Sequence, residues 1–206
     1  MLEDEYIEIK GERFIIDMMY SRTNNMLGRA IYQEIGWENK AVVHRDLWQK
    51  LKKIVPTLIT NKMKLKICDA YRPAIAHEMM KSLIPMKGFF ADYAAKSQHC
   101  LGTAVDVCLC NEEGKEYSYP TKVDAYEAWF SKQVLSGNTE AFIEHLKKAR
   151  HDYFAQGYEE EIKNRDFLRN LMESAGLEGI MHEWWHYNLP NGKNDRYPMV
   201  DLIGKF

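Results

Sequence analysis

An aspartate inside an apolar stretch is the feature that most restricts how this chain can fold. Residues 104–109 read Ala-Val-Asp-Val-Cys-Leu, which is typical of a buried strand, and Asp106 lies near its centre. A carboxylate on a buried strand stays ionised only beside a cation or a metal ion. Another part of the chain must therefore supply a cation or further ligands for a metal ion, and the fold must bring the two parts together.

Histidines in two separate segments are candidates for a metal site with Asp106. His99 lies just before the strand, and residues 181–187 read Met-His-Glu-Trp-Trp-His-Tyr, so that Glu183 precedes His186 by three positions. Two histidines, one aspartate, an open position for water and a nearby carboxylate are the minimum set for a hydrolytic zinc site. Pairing of Asp106 with an arginine, or capping of a turn, is the alternative, and the second histidine segment favours the metal.

The C-terminal segment also matches the His-Glu-x-x-His pattern of zincin helices, in which His182 and His186 are both ligands. Two tryptophans inside the pattern and a proline soon after it favour a strand instead. The zincin alternative also leaves His99 and Asp106 unexplained, whereas our preferred set makes His182 incidental. In a regular strand Glu183 and His186 face opposite sides, so this set requires the strand to end, twist or bulge there.

Arg72 stands where a predicted strand, residues 64–71, breaks before Pro73. Its guanidinium is suited to stabilising an oxyanion or binding a substrate carboxylate. A structural ion pair with Asp69 or another acid explains the same position equally well, and the sequence leaves this choice open.

Periodicity and turn residues predict an α+β fold in which residues 1–206 form a single small domain. The predicted strands are residues 14–20, 64–71, 104–109 and 180–187. The predicted helices are residues 46–55, with Asp46 as N-cap and Pro56 as the stop, residues 74–82, and most of residues 124–175, ending at Gly176. Helices of this kind are expected to pack on a central antiparallel sheet.

Composition excludes some classes of function. The formal net charge of the 206 residues is -2, which gives no electrostatic support for binding to nucleic acid or to a membrane. No apolar run reaches the length of a membrane helix, and the acidic N-terminus lacks a secretion signal. We expect a cytoplasmic protein, or a periplasmic or exported one if a signal was removed. The four cysteines permit two disulfides, but their apolar surroundings favour free, buried thiols.

Three motifs together resemble the signatures of the D-alanyl-D-alanine metallopeptidases, and most closely those of the zinc D-Ala-D-Ala dipeptidases. They are Asp69-x-Tyr71-Arg72-Pro73, Ser97-x-His99-x-x-Gly102-x-Ala104-x-Asp106 and Glu183-x-Trp185-His186. The motifs occur in the family's order and span most of the chain, and the likeness is weakest over residues 127–160. The resemblance implies the small α+β fold that this family shares with the hedgehog signalling domain.

The resemblance also implies roles for seven residues. It implies one zinc ion per chain with three protein ligands: His99, Asp106 and His186. It implies Glu183 as the general base and then acid, and Arg72 as the group that steadies the tetrahedral intermediate. Ser97 and Asp124 would hold the substrate, Asp124 through the substrate's ammonium group.

The expected reaction is hydrolysis of the D-alanyl-D-alanine dipeptide by metal-activated water. A first alternative is a D,D- or L,D-carboxypeptidase acting on peptidoglycan stem peptides, which needs an open groove where a dipeptidase needs a closed pocket. A second alternative is a zinc-binding interaction module without catalysis, against which the presence of Glu183 and Arg72 argues. The sequence does not indicate the oligomeric state or the physiological peptide.

Overall fold

The computed structural model describes residues 2–84, 90–125 and 140–206, and its elements are those of an α+β protein. The strands are β1 (Tyr6–Glu8), β2 (Phe14–Ile16), β3 (Val42–His44), β4 (Met63–Asp69), β5 (Ala104–Asn111), β6 (Glu178–Ile180) and β7 (Glu183–Asn188). The α-helices are α1 (Ile31–Glu34), α2 (Arg45–Thr60), α3 (Ala74–Leu83), α4 (Glu140–Ala149) and α5 (Glu159–Ser174). The predicted fold class is confirmed.

A five-stranded sheet in the order β2-β4-β5-β7-β6 forms the centre of the molecule, and β1 and β3 form a separate two-stranded ribbon. The pairings β4-β5, β5-β7 and β7-β6 are antiparallel, as expected. The edge strand β2 pairs with β4 in parallel. Strand β5 is buried along nearly its whole length, which explains why its sequence is a continuous apolar run rather than an alternating one.

Several predicted boundaries were wrong. The first sheet strand ends at Ile16, and a 3-10 turn follows at Met19–Ser21. Residues 180–187 are not one strand, because β6 and β7 form a hairpin with a turn between them. The predicted helical region 124–175 contains α4 and α5 with non-helical residues 150–158 between them, and residues 126–139 of it lie outside the described residues.

Helix α2 runs four residues beyond the predicted stop at Pro56. A proline inside a helix leaves the carbonyl four residues earlier without its N–H partner. Both Pro56 and Lys52 are exposed, so water can bond that carbonyl. Burial of Leu58 in the core favours the extra turn. The N-cap is His44, whose Nδ1 accepts from the Asp46 N–H at 3.1 Å, and not Asp46.

The core lies on the sheet beneath α2 and α5, which also contact each other. Leu51 and Ile54 from α2 and Leu168 and Met172 from α5 are buried in it. All four cysteines are free and buried, as predicted. Among the described residues, no helix combines the length and apolar character needed to cross a membrane.

His151 is a buried imidazole that should make the fold acid-sensitive. Neither of its ring nitrogens has a hydrogen-bond partner, and the ring lies so close to Gly179 that a Cβ there would be 3.0 Å from Nε2. Burial lowers the pKa of His151 to about 4, and burial likewise lowers the pKa of His145 to about 4. As the pH falls from about 6.5 toward 4, these two histidines therefore become protonated in the unfolded chain but stay neutral in the folded chain.

We therefore expect the free energy of unfolding to fall by about 2–3 kcal/mol for His151 over that range, since each pKa unit corresponds to about 1.4 kcal/mol. Urea unfolding at pH 7, 5.5 and 4.5 measures it. His151→Leu should remove part of the acid loss and leave the part due to His145. His182→Leu, at an exposed position, is the control. An unchanged pH dependence in His151→Leu would contradict the expectation.

Candidate metal centre and active site

His99, Asp106 and His186 come together as a buried cluster at the centre of the sheet. Asp106 on β5 lies directly opposite His186 on β7, and His99 reaches them from the turn before β5. One ligand atom from each residue lies within 4.8 Å of the other two. His186 Nδ1 is 3.0 Å from Asp106 Oδ1 and 3.2 Å from His99 Nε2, which is 3.3 Å from Asp106 Oδ2.

Hydrogen bonding outside the cluster fixes how His99 presents its ring. Its Nδ1 lies 2.9 Å from the Ala70 carbonyl oxygen, to which it donates, so Nε2 is the ring atom that faces the cluster. Although burial opposes ionisation, His99 and His186 hold the pKa of Asp106 well below its usual range. Burial also opposes charge on His99, but Asp106 raises the pKa of His99 to about 9. The cluster therefore retains a carboxylate in the interior.

The donor set fits a divalent metal ion. Imidazole nitrogen and carboxylate oxygen are common zinc ligands, at about 2.0–2.2 Å from the ion. A tetrahedron with such bonds separates its ligand atoms by about 3.3 Å. Here the two imidazole nitrogens are 3.2 Å apart, and each lies 3.0 or 3.3 Å from one of the two Asp106 carboxylate oxygens. Two imidazole nitrogens 3.2 Å apart also need a shared proton or cation between them, because their lone pairs otherwise repel.

A bulge in the β6-β7 hairpin brings Glu183 to the same site as His186. Gly179 pairs with Tyr187, and the next residue of β6, Ile180, pairs with Glu183, which is four residues before Tyr187 on β7. Residues 184–186 therefore have no partner on β6. This bulge cancels the strand alternation that would otherwise place the side chains of Glu183 and His186 on opposite faces. Glu183 Oε2 lies 3.8 Å from His186 Nδ1. The predicted irregularity of this strand is confirmed.

Glu183 is half-buried, and its ionisation is affected by its neighbours. Burial, with Asp124 and Asp106, raises the pKa of Glu183 to about 7 against the opposing effect of His186. His182, in contrast, is exposed and lies outside the cluster, with its Nδ1 3.2 Å from Arg150 Nη1. Residues 183–188 form a strand, so the helix that a zincin site needs is not formed there.

Arg72 is both paired and positioned at the cavity. Its Nε and Nη2 donate to Asp69 Oδ2 at 3.0 and 2.6 Å. A second register shift, between Ile67 and Asp69, places Asp69 opposite Asp106 on the neighbouring strand. The structural ion pair considered from the sequence is therefore present, and it holds the guanidinium in place beside the cluster. Asp69 also accepts a hydrogen bond of 2.5 Å from the Tyr32 hydroxyl.

Asp124 and Tyr20 form a second polar pair in the same cavity. The Tyr20 hydroxyl donates to Asp124 Oδ2 at 2.8 Å, and the Tyr20 ring lies 5.4 Å from the Arg72 guanidinium carbon. Burial, with Asp106, raises the pKa of Asp124 to about 7, against the effects of Arg72 and Tyr20. Tyr20 was missed from the sequence, because a tyrosine at the end of a predicted strand gives no signal of a partner 104 residues away.

A small, mostly polar cavity of about 170 Å³ contains the whole arrangement. Its lining includes all seven residues proposed from the sequence: Arg72, Ser97, His99, Asp106, Asp124, Glu183 and His186. A volume this far below the several hundred Å³ of drug-sized ligand sites suits a very small ligand. Lining residues that the sequence did not indicate include Tyr20, His77 and Phe90.

A buried His-Asp-His cluster with an adjacent carboxylate and a small polar cavity, on an α+β scaffold, defines a metal-dependent hydrolase. The family model described as "D-ala-D-ala dipeptidase" (Peptidase_M15) matches residues 11–202. The chain therefore belongs to the Peptidase_M15 family and is a metallopeptidase. The D-alanyl-D-alanine dipeptidase of Escherichia coli (strain K12) is 28% identical over 185 residues, covering 90% of this chain and 82% of that protein. The D-alanyl-D-alanine dipeptidase of Enterococcus faecium is 26% identical over 205 residues, covering 88% of this chain and 87% of that protein.

Proposed function

We propose that this chain is a zinc dipeptidase that hydrolyses D-alanyl-D-alanine, with residues 1–206 as a single peptidase domain. The observation that carries the proposal is the position of Glu183, whose carboxylate lies 3.8 Å from His186 Nδ1 at the edge of the His-Asp-His cluster. A carboxylate there can exchange a proton with water at the cluster. Family membership and the two dipeptidase relatives support the same substrate.

The proposed metal ligands are His99 through Nε2, Asp106 through its carboxylate and His186 through Nδ1. Bound there, zinc would supply Lewis acidity, which acidifies water and polarises a peptide carbonyl. The Ala70 carbonyl keeps the proton of His99 on Nδ1, away from the cluster. The interior position of Asp106 keeps its negative charge close to the ion, where it offsets part of the ion's charge.

Glu183 acts as the proton carrier in this proposal. It takes a proton from the attacking water as oxygen bonds to the peptide carbon, and it gives that proton to the departing amine as the C–N bond breaks. Water is added across one peptide bond, and the products are two amino acids. Because the proton returns within one cycle, no covalent intermediate with the protein is required.

Arg72 and Asp124 are proposed to orient the substrate from two sides. The Asp69 carboxylate holds the Arg72 guanidinium rigidly, so its charge is available to the developing oxyanion without reorganisation. Asp124, held by Tyr20, is proposed to meet the ammonium group of the dipeptide. Ser97 is buried in the cavity wall and is proposed to help hold the substrate.

The small cavity favours a dipeptide over the stem peptide of a carboxypeptidase. A partly buried carboxylate such as Asp124 is costly unless a cation joins it, and a dipeptide brings one in its free ammonium group. A longer peptide has an amide at that position and needs an opening in the cavity beside Asp124.

Hydrolysis of D-Ala-D-Ala and L-Ala-L-Ala by zinc-loaded protein tests the proposal. We expect cleavage of the D,D form at least about 100-fold faster, since placement of the reacting groups dominates such rates, and no cleavage after chelation. N-acetyl-D-Ala-D-Ala should be a poor substrate because it lacks the ammonium group. Equal cleavage of the acetylated peptide would favour the carboxypeptidase, and zinc binding without hydrolysis of any of these would contradict the proposal.

A further inference from the structure

Two side chains of α3 hold one wall of the cavity. His77 and Lys81 are one helical turn apart and so lie on the same face of α3. His77 Nε2 donates to the Ala91 carbonyl oxygen at 2.9 Å, and Lys81 Nζ donates to the carbonyl oxygen of Asp92. Phe90 and Ala91 both line the cavity, and they are called the Phe90–Ala91 wall below.

The chemistry of His77 indicates that the role of the imidazole at this position is its hydrogen bond to the Ala91 carbonyl. The side chain is 1% exposed, and its Nδ1 is buried without a hydrogen-bond partner. Since Nε2 carries the proton given to Ala91, Nδ1 of the neutral ring is a buried acceptor without a donor, which destabilises the fold. An aliphatic side chain would fill the same space without that cost but could not donate to the carbonyl.

The Phe90–Ala91 wall is an apolar surface in a largely polar cavity. Among the lining residues that the structure describes, most are charged or polar, and Phe90, Ala91 and Ile180 are the aliphatic or phenyl side chains. The methyl groups of a bound dipeptide must lie against such surfaces, because contact with charged groups would desolvate those groups without return. The His77 ring also meets the Phe90 ring edge to face, with ring centres 6.0 Å apart.

We infer that His77 is a positioning residue which fixes the Phe90–Ala91 wall and thereby restricts the substrate to small side chains. The inference rests on the proposed dipeptidase function and identifies the residue that limits the size of the substrate's side chains. His77 gives the wall its first attachment, at residue 91, and Lys81 gives a second, at residue 92. The 3-10 turn that follows, closed by the backbone bond from Ser97 N–H to the Ala94 carbonyl oxygen, leads on to His99. Release of the first attachment lets the wall move away from the metal ligands and enlarges the cavity.

Four variants test this inference, with Glu78→Ala on the exposed side of α3 as the control. His77→Ala removes the donor. His77→Gln places an amide N–H at the position of Nε2, whereas His77→Asn places it at the position of Nδ1, too short to reach Ala91. Lys81→Met removes the second attachment and leaves the core intact. Each is assayed with D-Ala-D-Ala, D-Ala-D-Phe and D-Phe-D-Ala, with zinc content measured in parallel.

In His77→Ala and His77→Asn, we expect kcat/KM for at least one bulky dipeptide to rise at least tenfold relative to D-Ala-D-Ala, mainly through KM. In His77→Gln, this ratio of kcat/KM values should stay within threefold of the wild-type ratio. In Lys81→Met, it should rise by about threefold. Amide hydrogen exchange at residues 90–97 should quicken in the Ala and Asn variants but not in the Gln variant.

The inference would be overturned if the substrate ratio were unchanged in all variants, or if His77→Gln shifted that ratio as much as His77→Asn. If the His77 variants do not fold, an unchanged ratio in Lys81→Met overturns it instead. Failure of the wild type to cleave D-Ala-D-Ala is a different result, which contradicts the proposed function. The hydrogen-exchange pattern then still decides whether His77 holds the wall.

Discussion

Replacement of Glu183 by glutamine is expected to lower kcat for D-Ala-D-Ala by about 10²–10⁴-fold, the usual contribution of a positioned general base. Glutamine has the size of glutamate and can still accept a hydrogen bond from water, but it cannot hold the proton that the leaving amine needs. Since Glu183 is not one of the three clustered ligand residues, bound zinc should remain at one ion per chain. Stopped assays of dipeptide hydrolysis with metal analysis of the same sample measure both quantities.

A matched control is available on the neighbouring strand. Glu178 on β6 is an exposed glutamate outside the cavity, so Glu178→Gln makes the same chemical change without touching the site and should leave kcat unchanged. If Glu183→Gln kept a rate near that of the wild type, the base would have to be another group, and Asp124 would be the next carboxylate of the cavity to replace.

The metal cluster was predictable because a buried charge restricts the alternatives. Asp106 in an apolar run must have a positive partner, and two histidine segments were available to provide it. The sequence also required an irregular strand for Glu183 and His186 to share a site, and the β6-β7 bulge provides it. Local rules were sufficient here because the cost of an unpaired interior carboxylate exceeds the cost of a distorted strand.

Contacts between distant segments were not predictable in this way. The Tyr20 bond to Asp124 and the His77 bond to Ala91 join side chains to partners that no periodicity marks. Pro56 was misread for a related reason: the stop signal is local, whereas burial of Leu58 is a tertiary effect that outweighs the loss of one exposed hydrogen bond. Sequence patterns thus located the ionic centre but not the residues that shape the cavity around it.

Replacement of Asp106 by alanine is expected to weaken zinc binding by more than about 100-fold. Loss of a residue that only hydrogen-bonds to a metal ligand already lowers metal affinity by about 10–100-fold. The mutation removes the anionic member of the ligand set and leaves His99 and His186 as two neutral donors. Activity should fall to the level of the chelated wild type and return only at high free zinc. Competition with a coloured chelator gives the affinity, and circular dichroism checks that the fold persists.

His182→Ala is the control for metal binding, because His182 belongs to the same C-terminal segment but is exposed and contacts Arg150 instead of the cluster. It should keep both zinc and activity. The opposite outcome, with zinc lost in His182→Ala and kept in Asp106→Ala, would mean that the C-terminal histidine pair binds the metal as in a zincin. That arrangement would require residues 183–186 to leave the β7 strand, in which His186 now lies opposite Asp106 of β5. The two variants together therefore test the sheet register as well as the ligand set.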